Sequence, residues 1–283
     1  MSPLSVNIIG AGHVGRTLAR LCQQKHTISV MGVMNRSLSS TQAAIECIGS
    51  GAAIAHLYAL PEAQCYWLGC GDDQIESVCH VLAKTIELQG KTVIHFSGAK
   101  STSVLAAAKQ QGAWVASVHP IHSFAHPEAS LTTFAGSYCA LQGDDQALQP
   151  IKPILTAIGA HFFVLQEQDK ALHHANGAFA NNFVIALAHA AMTCYANTNV
   201  DPNVAKTATI QLMQQALDNI AHADDVMKAL SGPLRRGDTS TIGQHMQVLD
   251  MPEKKVYQAL AQYLLAHIDH NQSVRDTLTD LLH

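Results

Sequence analysis

Three glycines fall within six residues, Gly10-Ala11-Gly12-His13-Val14-Gly15, directly after the apolar run Val6-Asn7-Ile8-Ile9. In such a turn the first glycine allows the tight bend, the second lets a pyrophosphate approach the backbone, and the third lets helix and strand pack closely. Val14, Leu18, Leu21 and Cys22 then recur at the helical period, so the first amides of a helix would point at the anion. Strand, glycine turn and helix together predict a dinucleotide site, with Gly10, Gly12, His13, Val14 and Gly15 against the phosphates.

A second strand, Ile28 to Met34, ends where a dinucleotide enzyme sets its choice of ribose. The residues there are Asn35-Arg36-Ser37. No carboxylate stands there to repel a 2′-phosphate; Arg36 can pair with one, and Asn35 and Ser37 can donate hydrogen bonds to it. NADP(H) is therefore expected rather than NAD, the alternative being an arginine on a solvated loop.

Later strands end in polar residues. Cys65 to Cys70 runs into Gly71-Asp72-Asp73, Thr92 to Phe96 into Ser97-Gly98-Ala99-Lys100-Ser101, and Trp114 to Val118 into His119-Pro120-Ile121-His122. Ligands of a parallel sheet bind beyond the carboxyl ends of its strands, so Gly71 and Ser97 are expected near the cofactor and Ser97, Gly98 and His119 near a substrate. A long Ala-rich segment, Asp169 to Asn197, reads as one helix of up to eight turns. Lys170, His174, Gly177 and Asn181 lie on it within about 60° of one another, a stripe carrying a proton donor, a gap and an amide. An imidazole titrates near neutral pH unaided, whereas a lysine needs partial burial; Lys170 and His174 both remain candidates for the acid. Arg235-Arg236-Gly237-Asp238 follows the turn signal Gly232-Pro233, and Arg236 on that loop could clamp a carboxylate or pair with the aspartate.

The elements that must hold these groups divide the chain. Strands alternate with helices up to about residue 165, with Tyr138 to Leu141 and His161 to Leu165 as the last two strands; beyond it only helices are predicted. Those helices are 169–197, 202–222 behind the cap Asp201-Pro202, 239–249, 252–268 behind Asp250, and 273–282. The expected fold is an α/β dinucleotide-binding domain, 1–165, followed by an all-α domain, 166–283, for substrate and dimerisation.

Composition excludes other classes. A hydrophobic share of 48% supplies a real core, and 17 Lys+Arg against 21 Asp+Glu, with 5% aromatics, leaves no footprint of a nucleic-acid binder. Seven scattered cysteines without a C-x-x-C pair read as reduced core residues. The opening segment Met1 to Ser5 lacks a basic region, and no uninterrupted apolar stretch reaches membrane-spanning length. A cytoplasmic protein without membrane or nucleic-acid partners is expected. The 17 histidines include His119-x-x-His122-x-x-x-His126 and His267-x-x-His270, but prolines interrupt the first group and no H-E-x-x-H occurs, so no metal is expected.

The glycine fingerprint, Asn35-Arg36-Ser37, Ser97-Gly98, His119-Pro120 and the long helix before an all-α domain resemble the 6-phosphogluconate dehydrogenase-like superfamily. That group includes β-hydroxyacid dehydrogenases, ketopantoate reductase and pyrroline-5-carboxylate reductase. Ser97-Gly98-Ala99, His119 to Phe124, and Ser231 to Asp238 with Thr241 and His245 look like one subgroup: Rossmann-like NADP oxidoreductases with a helical C-terminal domain of unknown function. Some of its members resemble an alternative ketopantoate reductase of pantothenate synthesis. The resemblance implies an α/β Rossmann domain plus an all-α domain, homodimerisation, and NADPH-dependent reduction of a small substrate bearing a carboxylate. Ketopantoate is the foremost substrate; pyrroline-5-carboxylate, a β-keto acid, or a sensor that binds NADP without catalysis are the alternatives. It also implies a catalytic role for Lys170 or His174 with Asn181, although the family's Lys-x-x-x-Asn spacing is not kept, since position 174 holds His.

Overall fold

The computed structural model describes residues 2–283; Met1, counted in the opening segment above, lies outside the described residues. Two compact units are present, 1–181 and 182–283. Segment 166–181 thus groups with the strands, although regular strand-helix alternation stops at 165.

The first unit runs β1 (Leu4–Ile9), α1 (His13–Gln24), β2 (Ile28–Met34), α2 (Leu38–Ile48), β3 (Ala52–Ala53), β4 (Cys65–Leu68), α3 (Ile75–Thr85), β5 (Thr92–His95), α4 (Ala106–Gln110), β6 (Trp114–Ile121), α5 (Pro127–Thr133), β7 (Tyr138–Gly143), α6 (Asp145–Ala157), β8 (His161–Val164) and α7 (Lys170–Gly177). The strands form one sheet in the order β3-β2-β1-β4-β5-β6-β7-β8. Neighbours are parallel except β6 and β7, which are antiparallel. A doubly wound sheet buries both faces, which is why its central strands are apolar throughout rather than alternating. Period two still sorts them: Val6, Ile8, Trp67, Ile94, Ala116 and Val118 pack with Leu18, Leu21 and Cys22 of α1 and Leu148, Ile151 and Leu155 of α6. Ile9, Tyr66, Leu68, Val93 and Val115 pack with Ile75, Cys79 and Leu82 of α3.

That sorting has a functional consequence. By the same period His95, Ser117 and His119 belong to the face of Val93 and Val115, so polar side chains interrupt an otherwise apolar layer toward its carboxyl edge. A buried polar group needs a partner; for Ser117 and His119 it comes from α7, and for His95 from the Ser97 amide and the Ser101 carbonyl.

The segment expected to be one long helix contains a break of register. After α7 the chain makes a π-turn, Ala178–Asn182, before α8 (Phe183–Ala196). Gly177, Asn181 and Asn182 are weak helix formers at that point, and the wider turn rotates every later side chain relative to Lys170 and His174. Asn181 therefore leaves the stripe that an unbroken helix would have given it. The segment Glu167–Ala196 also meets the length and composition of a membrane-crossing helix, contrary to the expectation. An 18-residue window within it reaches a mean hydropathy of 1.2, to which Phe183-Val184-Ile185, Leu187 and the surrounding alanines contribute.

The second unit is helical, with α8 followed by α9 (Pro202–His222), α10 (Pro233–Arg236), α11 (Thr239–Val248), α12 (Glu253–Leu265) and α13 (Gln272–Leu282). Leu234, Ile242, Met246, Ala261, Leu265, Ile268, Leu278 and Leu282 form its core. Asp201 caps α9 as expected, accepting from the amides of Asn203 and Val204. Asp250 does not cap α12: Pro252 occupies the cap, and Asp250 contributes only its carbonyl, to the Lys254 amide. Arg235 and Arg236 end a short helical turn rather than lying on an open loop, because Gly232 and Gly237, with φ of 91° and 71°, bracket it.

Candidate functional site

The β1–α1 turn is shaped for close approach. Gly10 has φ of +84°, and a Cβ there would stand 2.5 Å from the Cys70 amide nitrogen; Gly69 in turn lies against the Gly10 carbonyl. The two turns touch backbone to backbone, which only glycine permits. The cap of α1 is Gly12, so no side chain competes for the first amides of the helix. They are left to an anion. His13 opens α1 with its Nδ1 3.0 Å from the Phe124 carbonyl oxygen, and Val14 packs partly buried against the core. Gly15 would carry a Cβ 3.4 Å from the Gly10 carbonyl.

Beyond β2, Asn35 supports this turn from the side: its Oδ1 accepts from the Ala11 amide at 2.6 Å and its Nδ2 donates to the Ser40 carbonyl at 2.9 Å. One amide hydrogen of Asn35 remains. Arg36 is exposed and makes no ion pair among the described residues. Ser37 caps α2 by accepting from the Ser40 amide, and the hydroxyls of Ser37, Ser39 and Ser40 cluster beside it. A guanidinium, three hydroxyls and a helix start fit a phosphate monoester.

The second cluster lies at the ends of β4, β5 and β6. Lys170 is 2% exposed, and its Nζ donates to the Ser97 carbonyl at 2.9 Å and to Ser117 Oγ at 2.7 Å. Burial pushes its pKa down to about 8, with the Asp72 carboxylate acting in the opposite direction. Ser97 is 6% exposed and saturated: its amide donates to His95 Nδ1 at 3.1 Å, and its hydroxyl donates to Asp72 Oδ2 at 2.6 Å and accepts from the amides of Ala99 and Lys100. Because His95 Nδ1 accepts, its proton sits on Nε2, 3.2 Å from the Ser101 carbonyl. Burial, then the Lys170 charge, lowers the His95 pKa to about 4.

His119 Nδ1 and His173 Nε2 are 3.0 Å apart, a bond that needs exactly one proton between the two rings. Burial first, then Lys170 and the other imidazoles, lower the His119 pKa to about 4, and burial with Lys170 lowers that of His173 as well. The pair is neutral at neutral pH. Gly98 lets these rings close in: a Cβ there would lie 2.6 Å from His174 Nδ1 and 2.7 Å from His119 Nε2.

Of the residues expected at the site, Lys170, His174, Ser97, Gly98 and His119 are thus brought together, with Lys170 buried beneath them and His174 exposed. Gly71, also exposed, stands on the same β4 loop as Asp72. Asn181 is exposed in the π-turn and makes no hydrogen bond to the cluster. Arg236, in the second unit, is exposed and makes no ion pair among the described residues; Asp238, the alternative partner, caps α11 through the Thr241 amide and hydroxyl, with the Arg236 charge acting on it from a longer distance. His245 pairs with the Tyr257 hydroxyl at 2.9 Å. His122 turns away from His119 to Ser137 Oγ, and among the described residues no three His, Cys, Asp or Glu side chains converge for a metal. Asp72, His95, Ser117 and His173 were not singled out from the sequence. The available signal was polar residues at alternate positions inside apolar strands, His95 with Ser97 and Ser117 with His119.

Comparison with known proteins agrees with this build. Residues 1–120 match the family model of a Rossmann-like domain and residues 137–264 that of DUF2520, a domain of unknown function. Among curated proteins none matches. A solved Bacteroides fragilis protein provisionally named an NADP oxidoreductase has a TM-score of 0.75 at 15% identity, covering 93% of this chain and 98% of that one. A pyrroline-5-carboxylate reductase from Streptococcus pyogenes has a TM-score of 0.67 at 14% identity over 100% and 99%. A reductive aminase from Aspergillus terreus, solved with NADPH and ethyl levulinate, has a TM-score of 0.65 at 14% identity over 98% of each chain. The chain thus joins a segment that matches a Rossmann-like domain to one that matches DUF2520, and it shares its fold with these solved structures.

Proposed function

We propose that the chain is an NADP(H)-dependent oxidoreductase that reduces a small substrate carrying a carboxylate. One observation carries the reading: a buried lysine and a group of imidazoles stand at the carboxyl ends of β5 and β6 in the same sheet whose first turn is the glycine fingerprint. Bound NADPH would supply the hydride. The protein's part is to hold the pyrophosphate on the uncapped start of α1 and the 2′-phosphate between Arg36 and the serines before α2.

Reduction of a carbonyl or imine leaves a centre that needs a proton and a donor to its heteroatom. His174, exposed beside Gly98, is the group that meets the substrate and delivers the proton. Lys170 works from beneath: with its ammonium hydrogen-bonded to the Ser97 carbonyl and the Ser117 hydroxyl, it fixes the floor. Asn181, at the end of the same unit, is the substrate's amide contact in this reading.

Ketopantoate, reduced to pantoate, is the substrate proposed first. A C=N substrate is the second reading, favoured by the names of two similar structures, a pyrroline-5-carboxylate reductase and a reductive aminase. The test is NADPH consumption with ketopantoate, pyrroline-5-carboxylate and short β-keto acids in parallel, preceded by calorimetry with NADPH and NADH. Binding of NADPH tighter than NADH supports the reading; silence with both overturns it. The protein is further proposed to be a cytoplasmic homodimer, its seven free cysteines suiting a reducing compartment and the exposed Ile185, Leu212 and Leu217 on α8 and α9 suiting a second copy. Sedimentation at micromolar concentration reads the mass directly.

A further inference from the structure

One charged group at the carboxyl edge of the sheet has no part in that chemistry. Asp72 is exposed on the loop after β4, and its Oδ2 accepts from Ser97 Oγ at 2.6 Å, a distance within the range for a hydroxyl donating to a carboxylate. Ser97 has no free polar atom. Its amide is held by His95, its hydroxyl by Asp72 and the amides of Ala99 and Lys100, and its carbonyl by Lys170 and, at 3.3 Å, by Ser117. Ser97 is thus a junction of the β4 loop, β5, β6 and α7 rather than a ligand contact. The next residue is Gly98, against which His119 and His174 rest.

We infer that Asp72 is a positioning residue of this site: through the Ser97 hydroxyl it locks the turn that seats His119 and His174, and its negative charge offsets the buried ammonium of Lys170. The inference rests on the reading of this edge as the place of reduction. The charges and titratable groups around Lys170 bear it out. His95 comes from β5, His119 from β6, His173 and His174 from α7 itself, and all are neutral or cationic in character; Asp72 is the anion among them. Among the described residues Lys170 has no carboxylate within ion-pair distance, so its charge is balanced across Ser97. Asp72 acts on His95 and His119 in the same sense, raising proton affinity where Lys170 lowers it.

The test uses the full chain and separates hydrogen bond from charge. Asp72→Asn keeps an oxygen that can accept from Ser97 but removes the charge; Asp72→Ala removes both. Asp72 is exposed, so both variants fold, which thermal melting checks. With 13C-labelled lysine, NMR titration of the protein without cofactor should find Lys170 titrating below its wild-type midpoint in both variants. In NADPH consumption, Asp72→Ala should lose on the order of 10- to 100-fold in kcat, Asp72→Asn should recover most of that loss, and the NADPH Kd should move less than about twofold in either. An unmoved Lys170 titration, or an unmoved kcat in Asp72→Ala, overturns the inference. So does a loss of NADPH affinity equal to the loss of kcat, which makes Asp72 a cofactor contact. Failure of the wild type to bind NADPH would sink the proposed function instead, while the lysine titration still decides the coupling of Asp72 to Lys170.

Discussion

Replacing Gly98 with alanine places one methyl group where two imidazoles now sit. The added Cβ would stand 2.6 Å from His174 Nδ1 and 2.7 Å from His119 Nε2, so each ring must retreat by about 0.7 to 0.8 Å to regain ordinary contact at 3.4 Å. The two rings differ in their freedom. His174 is exposed and can swing outward, whereas His119 is held by its 3.0 Å bond to His173 and by the walls of its pocket. The backbone at Gly98 has no left-handed φ, so the penalty is one of packing alone, about 1–3 kcal/mol of stability. For the reaction the displacement is the larger effect: a misplacement near 1 Å costs about 100-fold in rate. We therefore expect Gly98→Ala to stay folded, to bind NADPH as the wild type does, and to lose about 100-fold in kcat. Steady-state NADPH oxidation, calorimetry and a melting curve read these three quantities. Full activity in a folded Gly98→Ala protein would refute the placement of His119 and His174 at the reacting centre.

Other consequences follow from the same geometry. Arg36→Ala should weaken NADPH binding by about 10- to 100-fold, one charge-assisted contact, and leave NADH unaffected in calorimetry. Asn35→Ala should instead weaken both dinucleotides and lower stability by about 1–3 kcal/mol in denaturant titration, because it strips the Ala11 amide of its acceptor. The histidines give a pH signature. His95 and His119 titrate near 4 in the fold against about 6.5 when unfolded, so the unfolded chain binds more protons between those values and stability falls as pH is lowered through that window. Melting temperatures measured from pH 7 to pH 4 should decline accordingly, and more gently in Lys170→Met, which removes a charge that lowers both groups.

What could be read before folding was whatever depends on neighbours in the chain. The glycine turn after β1, the apolar period of α1 and the residues 35–37 after β2 are local, and their geometry follows from backbone sterics and helix ends wherever the segment sits. The strand endings at Ser97 and His119 were legible for the same reason. Beyond that range the sequence was silent or misleading. An unbroken helical period put Asn181 in line with Lys170, but a π-turn of five residues changes the phase, and no local pattern announced it. Asp250 looked like a cap until Pro252 took the position. Above all, the role of Lys170 was decided by Ser117 and Ser97, 53 and 73 positions away, since whether a lysine is a surface charge or a buried donor depends on what closes over it. Burial sets its pKa, and burial is a property of the packed sheet and helix, not of the segment Lys170 to Asn181.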